Sequence, residues 1–143
     1  MTATDRFFID TAPFIYLVEK HPHFYNTVLS YLSNTISQGG APFTTVVSYT
    51  EFCVKPHESG DSKTVLNFEK MLKKIGCPIA PISLPIAKIA YPLRAKYQFL
   101  KASDSFQIAA ALHLGCKEFL TNDSKLSRIT EIKVVLISDL FSS

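Results

Sequence analysis

Arg6-Phe7-Phe8-Ile9-Asp10-Thr11-Ala12-Pro13-Phe14-Ile15-Tyr16 opens with an apolar run that ends on a carboxylate. Phe7 to Ile9 is too short for a buried helix and reads as an inner strand. Pro13 has no N–H to donate and suits the first turn of a helix, placed here from Pro13 to Lys20. Asp10 is left at the strand's carboxyl end. In an open parallel sheet ligands sit outside that edge, so the question for the remaining sequence is whether other acids converge there.

Outward from this stretch, strand and helix patterns alternate. Phe24 to Ser37 carries apolar residues at helical spacing and stops at Gly39-Gly40. Phe43 to Val47 is rich in β-branched residues and reads as a second strand, followed by Ser48 as N-cap with Glu51 at the capping-box position. His57 to Gly60 reads as a loop, and Asp61 or Ser62 caps a helix from Lys63 to about Ile75. Ile79 to Ile82 reads as a third strand whose Pro81 points to an edge position. A helix from about Pro85 to Phe99 is kinked or split by Pro92. Ser103 caps the next helix, whose core Phe106 to Leu112 is small and apolar enough to pack closely on a sheet. Glu118 to Thr121 and Lys133 to Ile137 complete the strands, with a turn at Asn122-Asp123-Ser124. The alternation predicts an α/β domain with a mostly parallel sheet of four to five strands, and no linker or repeat divides residues 1–143.

Composition agrees with a globular chain. Of its 143 residues 47% are hydrophobic and 19% charged, enough apolar surface for a core without metal or disulfide staples. The net charge of +3 does not announce a nucleic-acid binder, and the lysine and arginine clusters read as solvated helix faces. Cys53, Cys77 and Cys116 are widely spaced and odd in number, which speaks for reduced cysteines in a cytoplasmic protein and against a zinc site. Met1 to Arg6 is polar and carries no visible signal peptide, and no apolar run approaches membrane-spanning length.

Asp10, Glu51, Asp104 and Asp123 fall at comparable places in the alternation, each at a strand-to-helix junction or in a first helical turn. Right-handed crossovers put all such junctions of a parallel sheet on one edge. Acids gathered there would raise one another's pKa unless a divalent cation neutralised them, and hard oxygen ligands select Mg²⁺ or Mn²⁺ over zinc. Singly, Glu51, Asp104 and Asp123 are also explained as helix-start residues that meet free N–H groups. Asp10 is a poor packing choice without a ligand or a donor network. Helix capping, moreover, does not require four caps on one edge.

Phe-Ile-Asp-Thr at Phe8 to Thr11, Ser-Tyr-Thr-Glu at Ser48 to Glu51, Ser-Asp-x-x-x-Ile-Ala-Ala at Ser103 to Ala110 and Leu-Thr-Asn-Asp-x-x-Leu at Leu120 to Leu126 stand in order along the chain. Together they resemble the successive motifs of PIN-domain nucleases, and the length is similar to that of VapC-like toxins. The resemblance implies a three-layer α/β/α fold and a Mg²⁺- or Mn²⁺-dependent endoribonuclease. Asp10, Glu51, Asp104 and Asp123 would be its metal-binding and catalytic acids, with Thr11 and Thr121 supporting them from behind. It further implies an RNA substrate, a cognate antitoxin and a homodimer. A PIN-like module that holds RNA or protein without cleaving is the alternative; a receiver-like phosphotransfer domain is disfavoured by the lack of paired early acids. His21 and His23 share a loop without further ligands nearby, and His113 lies roughly opposite Asp104 on its helix. No Gly-rich nucleotide loop or G-x-S-x-G elbow is present.

Overall fold

In a computed structural model of the protein, residues 5–141 are described, so the leader reading made on Met1 to Arg6 falls largely outside them. The elements are β1 (Arg6–Ile9), α1 (Thr11–Val18), α2 (Tyr25–Ser37), β2 (Ala41–Thr45), α3 (Val46–Glu58), α4 (Ser62–Lys74), β3 (Ile79–Ala80), α5 (Leu84–Lys96), α6 (Ala102–His113), β4 (Cys116–Thr121), a 3-10 helix (Ser124–Arg128), β5 (Lys133–Leu136) and α7 (Ile137–Phe141). The five strands lie in the order β3-β2-β1-β4-β5, and every pairing is parallel.

This order explains the layers. From β1 the chain steps outward through β2 to β3, then returns across the sheet to place β4 on the other side of β1. Because crossovers are right-handed, reversing the direction of travel moves the connecting helices to the opposite face. Helices α1 to α4 cover one face, packing Phe14, Leu17, Val28, Leu32, Phe52, Phe68 and Leu72 against Phe7, Ile9 and Leu120. Helices α5 and α6 cover the other, packing Ile86, Ala90, Leu93 and Ile108 to Ala111 against Phe8 and Phe119. The period-two alternation of β1 thus divides its side chains between two cores, as the inner-strand reading requires. The fold is the predicted three-layer α/β/α arrangement with five strands.

Aromatic contacts hold the layers in register. The rings of Phe8 and Phe119, on neighbouring strands, stack at 5.0 Å between centroids. Phe68 of α4 stacks on Phe52 of α3 at 3.9 Å and meets Phe14 of α1 at 5.1 Å, joining three helices at one buried side chain. Fully burying a side chain of this size stabilises by roughly 1.5–3 kcal/mol. At the far end of β4, Arg6 pairs with Cys116 but Phe7 with Glu118, so Lys117 is an extra residue that shifts the strand's facing.

Several boundaries differ from the sequence reading. Helix α1 begins at Thr11 rather than Pro13, because the Asp10 side chain accepts from the Thr11 N–H. Strand β2 ends at Thr45, two residues early: its hydroxyl accepts from Val47 N at 3.0 Å and turns the β-branched Val46-Val47 into a helix start. Ser48 is therefore not the N-cap but a buried residue inside α3, and Glu51 stands in the second turn rather than the first. Helix α3 also continues through Pro56 to Glu58, leaving Ser59 and Gly60 as the turn where a longer loop was expected; Gly60 takes a positive φ of 69°. Ser103 lies in the first turn of α6, whose N-cap is Lys101 without a side-chain bond. Pro92 leaves α5 unsplit, β4 starts at Cys116, and Ile137 opens α7 instead of ending β5. The edge position foreseen from Pro81 is occupied by the two-residue β3.

Candidate active site

In the order β3-β2-β1-β4-β5 the direction of winding reverses between β1 and β4, and the crevice outside their carboxyl ends is where an open α/β sheet receives ligands. Asp10 stands there. Its N–H continues the ladder to the Leu120 carbonyl at 2.9 Å, which fixes the backbone, and its carboxylate is held by three donors. Oδ1 accepts from Thr11 N at 2.9 Å and from Gln107 Nε2 at 3.3 Å, and Oδ2 accepts from Thr121 Oγ1 at 2.8 Å. Burial pushes the carboxyl from its ordinary 3.8 up to about 6; the bonds from Thr121, Thr11 and Gln107 oppose the shift, and the charge of Glu51 adds to it.

The other three acids approach from separate elements. Asp104 lies in the first turn of α6, and burial raises its pKa, with Asp123 and then Glu51 adding like-charge repulsion. Glu51 reaches across from α3, where Oε1 accepts from Thr11 Oγ1 at 2.6 Å. Asp123 follows β4; its N–H donates to Thr121 Oγ1 at 3.1 Å and its Oδ1 accepts from Lys125 N at 3.1 Å, capping the 3-10 helix. Thr121, almost fully buried, thus donates to one acid and accepts from the backbone of another. The acids feel one another's charge, and among the described residues none of the four is in a salt bridge, the ion pairs found being Lys96–Glu131, Lys117–Asp5 and Lys133–Glu118.

Oxygen donors held in no ion pair are the chemistry a hard divalent cation takes. As the side chains stand, no three of Asp, Glu, His or Cys among the described residues are gathered closely enough to hold an ion. Glu51 is bonded to Thr11, and Asp123 to the turn that follows it. The donor set fits a cation, and these local bonds are what ligation would exchange.

Gln107, Thr45 and Ser48 are not expected at the site from sequence, where Ser48 reads as an N-cap. Gln107 sits almost fully buried in α6, where it accepts from Thr45 Oγ1 at 2.5 Å and donates to Ser48 Oγ as well as to Asp10. The available signal was a lone amide inside the apolar run Phe106 to Leu112. Asn122 bonds Tyr16 Oη and the Ser138 N–H, tying the turn after β4 to α1 and α7 rather than joining the acids. His21 caps its own loop, accepting from the N–H groups of His23 and Phe24, and His113 ends α6 at the far end from Asp104. Cys53, Cys77 and Cys116 are free thiols, the latter two buried. No helix among the described residues is long and apolar enough to cross a membrane.

A doubly wound parallel sheet with acids at its switch point defines an α/β domain whose ligand cleft lies at the strands' carboxyl edge. The sequence matches the PIN domain family over residues 7–132, and the chain belongs to that family. No curated protein matches it by sequence. Among solved structures it is similar to a chain of the VapBC2 complex of Rickettsia felis bound to a DNA fragment from their promoter, with a TM-score of 0.74, 14% identity, and coverage of 92% of this chain and 98% of that one. A toxin–antitoxin complex from Klebsiella pneumoniae matches with a TM-score of 0.67, 20% identity and coverage of 91% and 96%. VapC20 of Mycobacterium tuberculosis, a toxin that cleaves the sarcin-ricin loop, matches with a TM-score of 0.70, 11% identity and coverage of 89% and 98%. At these identities the likeness is one of fold.

Proposed function

We propose that the protein is a divalent-metal-dependent endoribonuclease, the toxin of a toxin–antitoxin pair, formed as a single PIN-like domain over residues 1–143. The observation that carries this reading is the like-charge repulsion that Asp10 takes from Glu51, and Asp104 from Asp123 and Glu51, at an edge where, among the described residues, none of the four acids is in a salt bridge. Family membership and the likeness to toxin–antitoxin complexes support it.

Asp10 and Asp104 would hold a Mg²⁺ or Mn²⁺ ion, with Glu51 and Asp123 as further ligands once they release Thr11 and the Lys125 N–H. A bound cation supplies charge opposite that building on the phosphate oxygens and makes a water acidic enough to ionise near neutral pH. Thr121, Thr11 and Gln107 orient the Asp10 carboxylate from behind, and a neighbouring carboxylate accepts the water's proton. RNA as substrate, a cognate antitoxin as partner, a homodimer and a cytoplasmic location belong to the same proposal.

Calorimetric titration with Mn²⁺ tests it. The wild type should show saturable binding and cleave RNA only with metal present, and Asp10→Asn with Asp104→Asn should lose both. Binding that survives the double substitution would sink the proposal. The local bonding of Glu51 and Asp123 favours one other reading, a PIN-like module that holds RNA or protein without cutting; RNA retained but never cleaved at saturating Mn²⁺ would select it.

A further inference from the structure

Gln107 is nearly inaccessible, and its amide touches the structures that carry three of the acids. Its Nε2 donates to Asp10 Oδ1 at the end of β1. The same nitrogen donates to Ser48 Oγ in the first turn of α3, and its Oε1 accepts from Thr45 Oγ1, the N-cap of that helix, at 2.5 Å. Helix α3 carries Glu51, and Gln107 follows Asp104 by one turn of α6, the spacing that puts two side chains on one face. The bonds also fix which way the amide points. Thr45 Oγ1 accepts from Val47 N and offers its proton to Oε1, while a flipped amide would aim its oxygen at the Asp10 carboxylate.

We propose that Gln107 is the positioning residue that sets the relative placement of Asp10, Glu51 and Asp104, acting as a neutral buried clasp between β1, α3 and α6. A neutral amide suits the place: it supplies donors to Asp10 and Ser48 and an acceptor to Thr45 in one group. A lysine there would neutralise the acids in place of a cation, and a glutamate would add a fifth negative charge. The inference rests on the metal-site reading above and goes further by naming a residue outside the ligand set.

The experiment compares Mn²⁺ affinity by calorimetry with thermal melting. Gln107→Met keeps the side chain's length without its donors and should weaken Mn²⁺ tenfold or more, within the roughly 10–100-fold range expected when a ligand's supporting partner is lost. Thr44→Val is the control, since buried Thr44 donates to the Ile9 carbonyl at 2.8 Å and bonds none of the acids. It should lower the melting temperature yet leave Mn²⁺ affinity within about twofold of wild type. If Gln107→Met folds poorly, Gln107→Asn keeps a neutral amide at the position but draws it back by one methylene from Asp10, Ser48 and Thr45, and should show the same loss. A Gln107 variant that binds Mn²⁺ as tightly as wild type, or is weakened no more than Thr44→Val, overturns this inference while leaving the metal site standing. Wild-type protein that binds no Mn²⁺ overturns both.

Discussion

Asp10 carries a desolvation cost that its surroundings only partly offset. The folded carboxyl holds its proton up to about pH 6, whereas in the unfolded chain it ionises near 3.8, so folding takes up a proton between these values. Stability from this group is therefore highest below about pH 4 and falls as the pH rises through 6. At roughly 1.4 kcal/mol per pKa unit the penalty at neutral pH is at most about 3 kcal/mol. Asp10→Asn removes the charge; its Oδ1 can still accept from Thr11 N and Gln107 Nε2, while its amide N–H₂ turns Thr121 Oγ1 from donor to acceptor. In metal-free buffer at pH 7.5 the variant should melt several degrees above wild type, and the two curves should converge near pH 4. Equal melting temperatures across that range would mean that the carboxyl is not desolvated as described. The position of Asp10 was legible in the sequence because an acid closing an apolar strand has no packing rationale. Gln107 was not, because a single buried amide among alanines leaves no periodic trace, and its partners Thr45 and Ser48 lie some sixty residues away along the chain.

Elements were legible where period and burial agreed. Helix α4 shows this: Asp61 caps it through the Thr64 N–H at 3.0 Å, and Phe68 and Leu72, one turn apart, face the core. The errors gathered at the start of α3, where Val46 and Val47 favour a strand by propensity. There the Thr45 hydroxyl, bonded both to Val47 N and to Gln107, decides for a helix, so a long-range contact overrides a local preference. Helix α6 was read as small enough to lie close to the sheet, and Ala109, Ala110 and Ala111 are indeed fully buried. Asp104 stands in the first turn of that helix, where it feels the charges of Asp123 and Glu51. Ala109→Leu should push the helix away, costing about 1–3 kcal/mol by overpacking. Denaturant unfolding should show that loss, together with weaker Mn²⁺ binding, because Asp104 travels with the helix. A leucine accommodated without loss of stability would mean that α6 does not sit at the limit of close packing.

Across the whole molecule, residues 10, 51, 104 and 123 stand on or beside elements that enclose the sheet from both faces, and the Gln107 network joins the same two sides. The sequence located this edge from connectivity alone, since right-handed crossovers leave acids at strand ends no other side to occupy. It did not reveal that Glu51 and Asp123 hold local partners, which depends on hydrogen-bond geometry rather than on spacing. A cation held by these acids would tie β1 and β4 to α3 and α6, so its binding energy should appear as global stability. At a free Mn²⁺ concentration 100 times the dissociation constant, ligand linkage adds about 2.7 kcal/mol. For a chain of 143 residues that corresponds to a rise in melting temperature on the order of 10 °C. The rise should shrink as the pH falls below 6, where a proton competes for Asp10, and should vanish in Asp10→Asn with Asp104→Asn. Calorimetric melts with and without Mn²⁺ at pH 7.5 and pH 5 measure both effects. A metal-induced rise of equal size at the two pH values would place the ion away from Asp10.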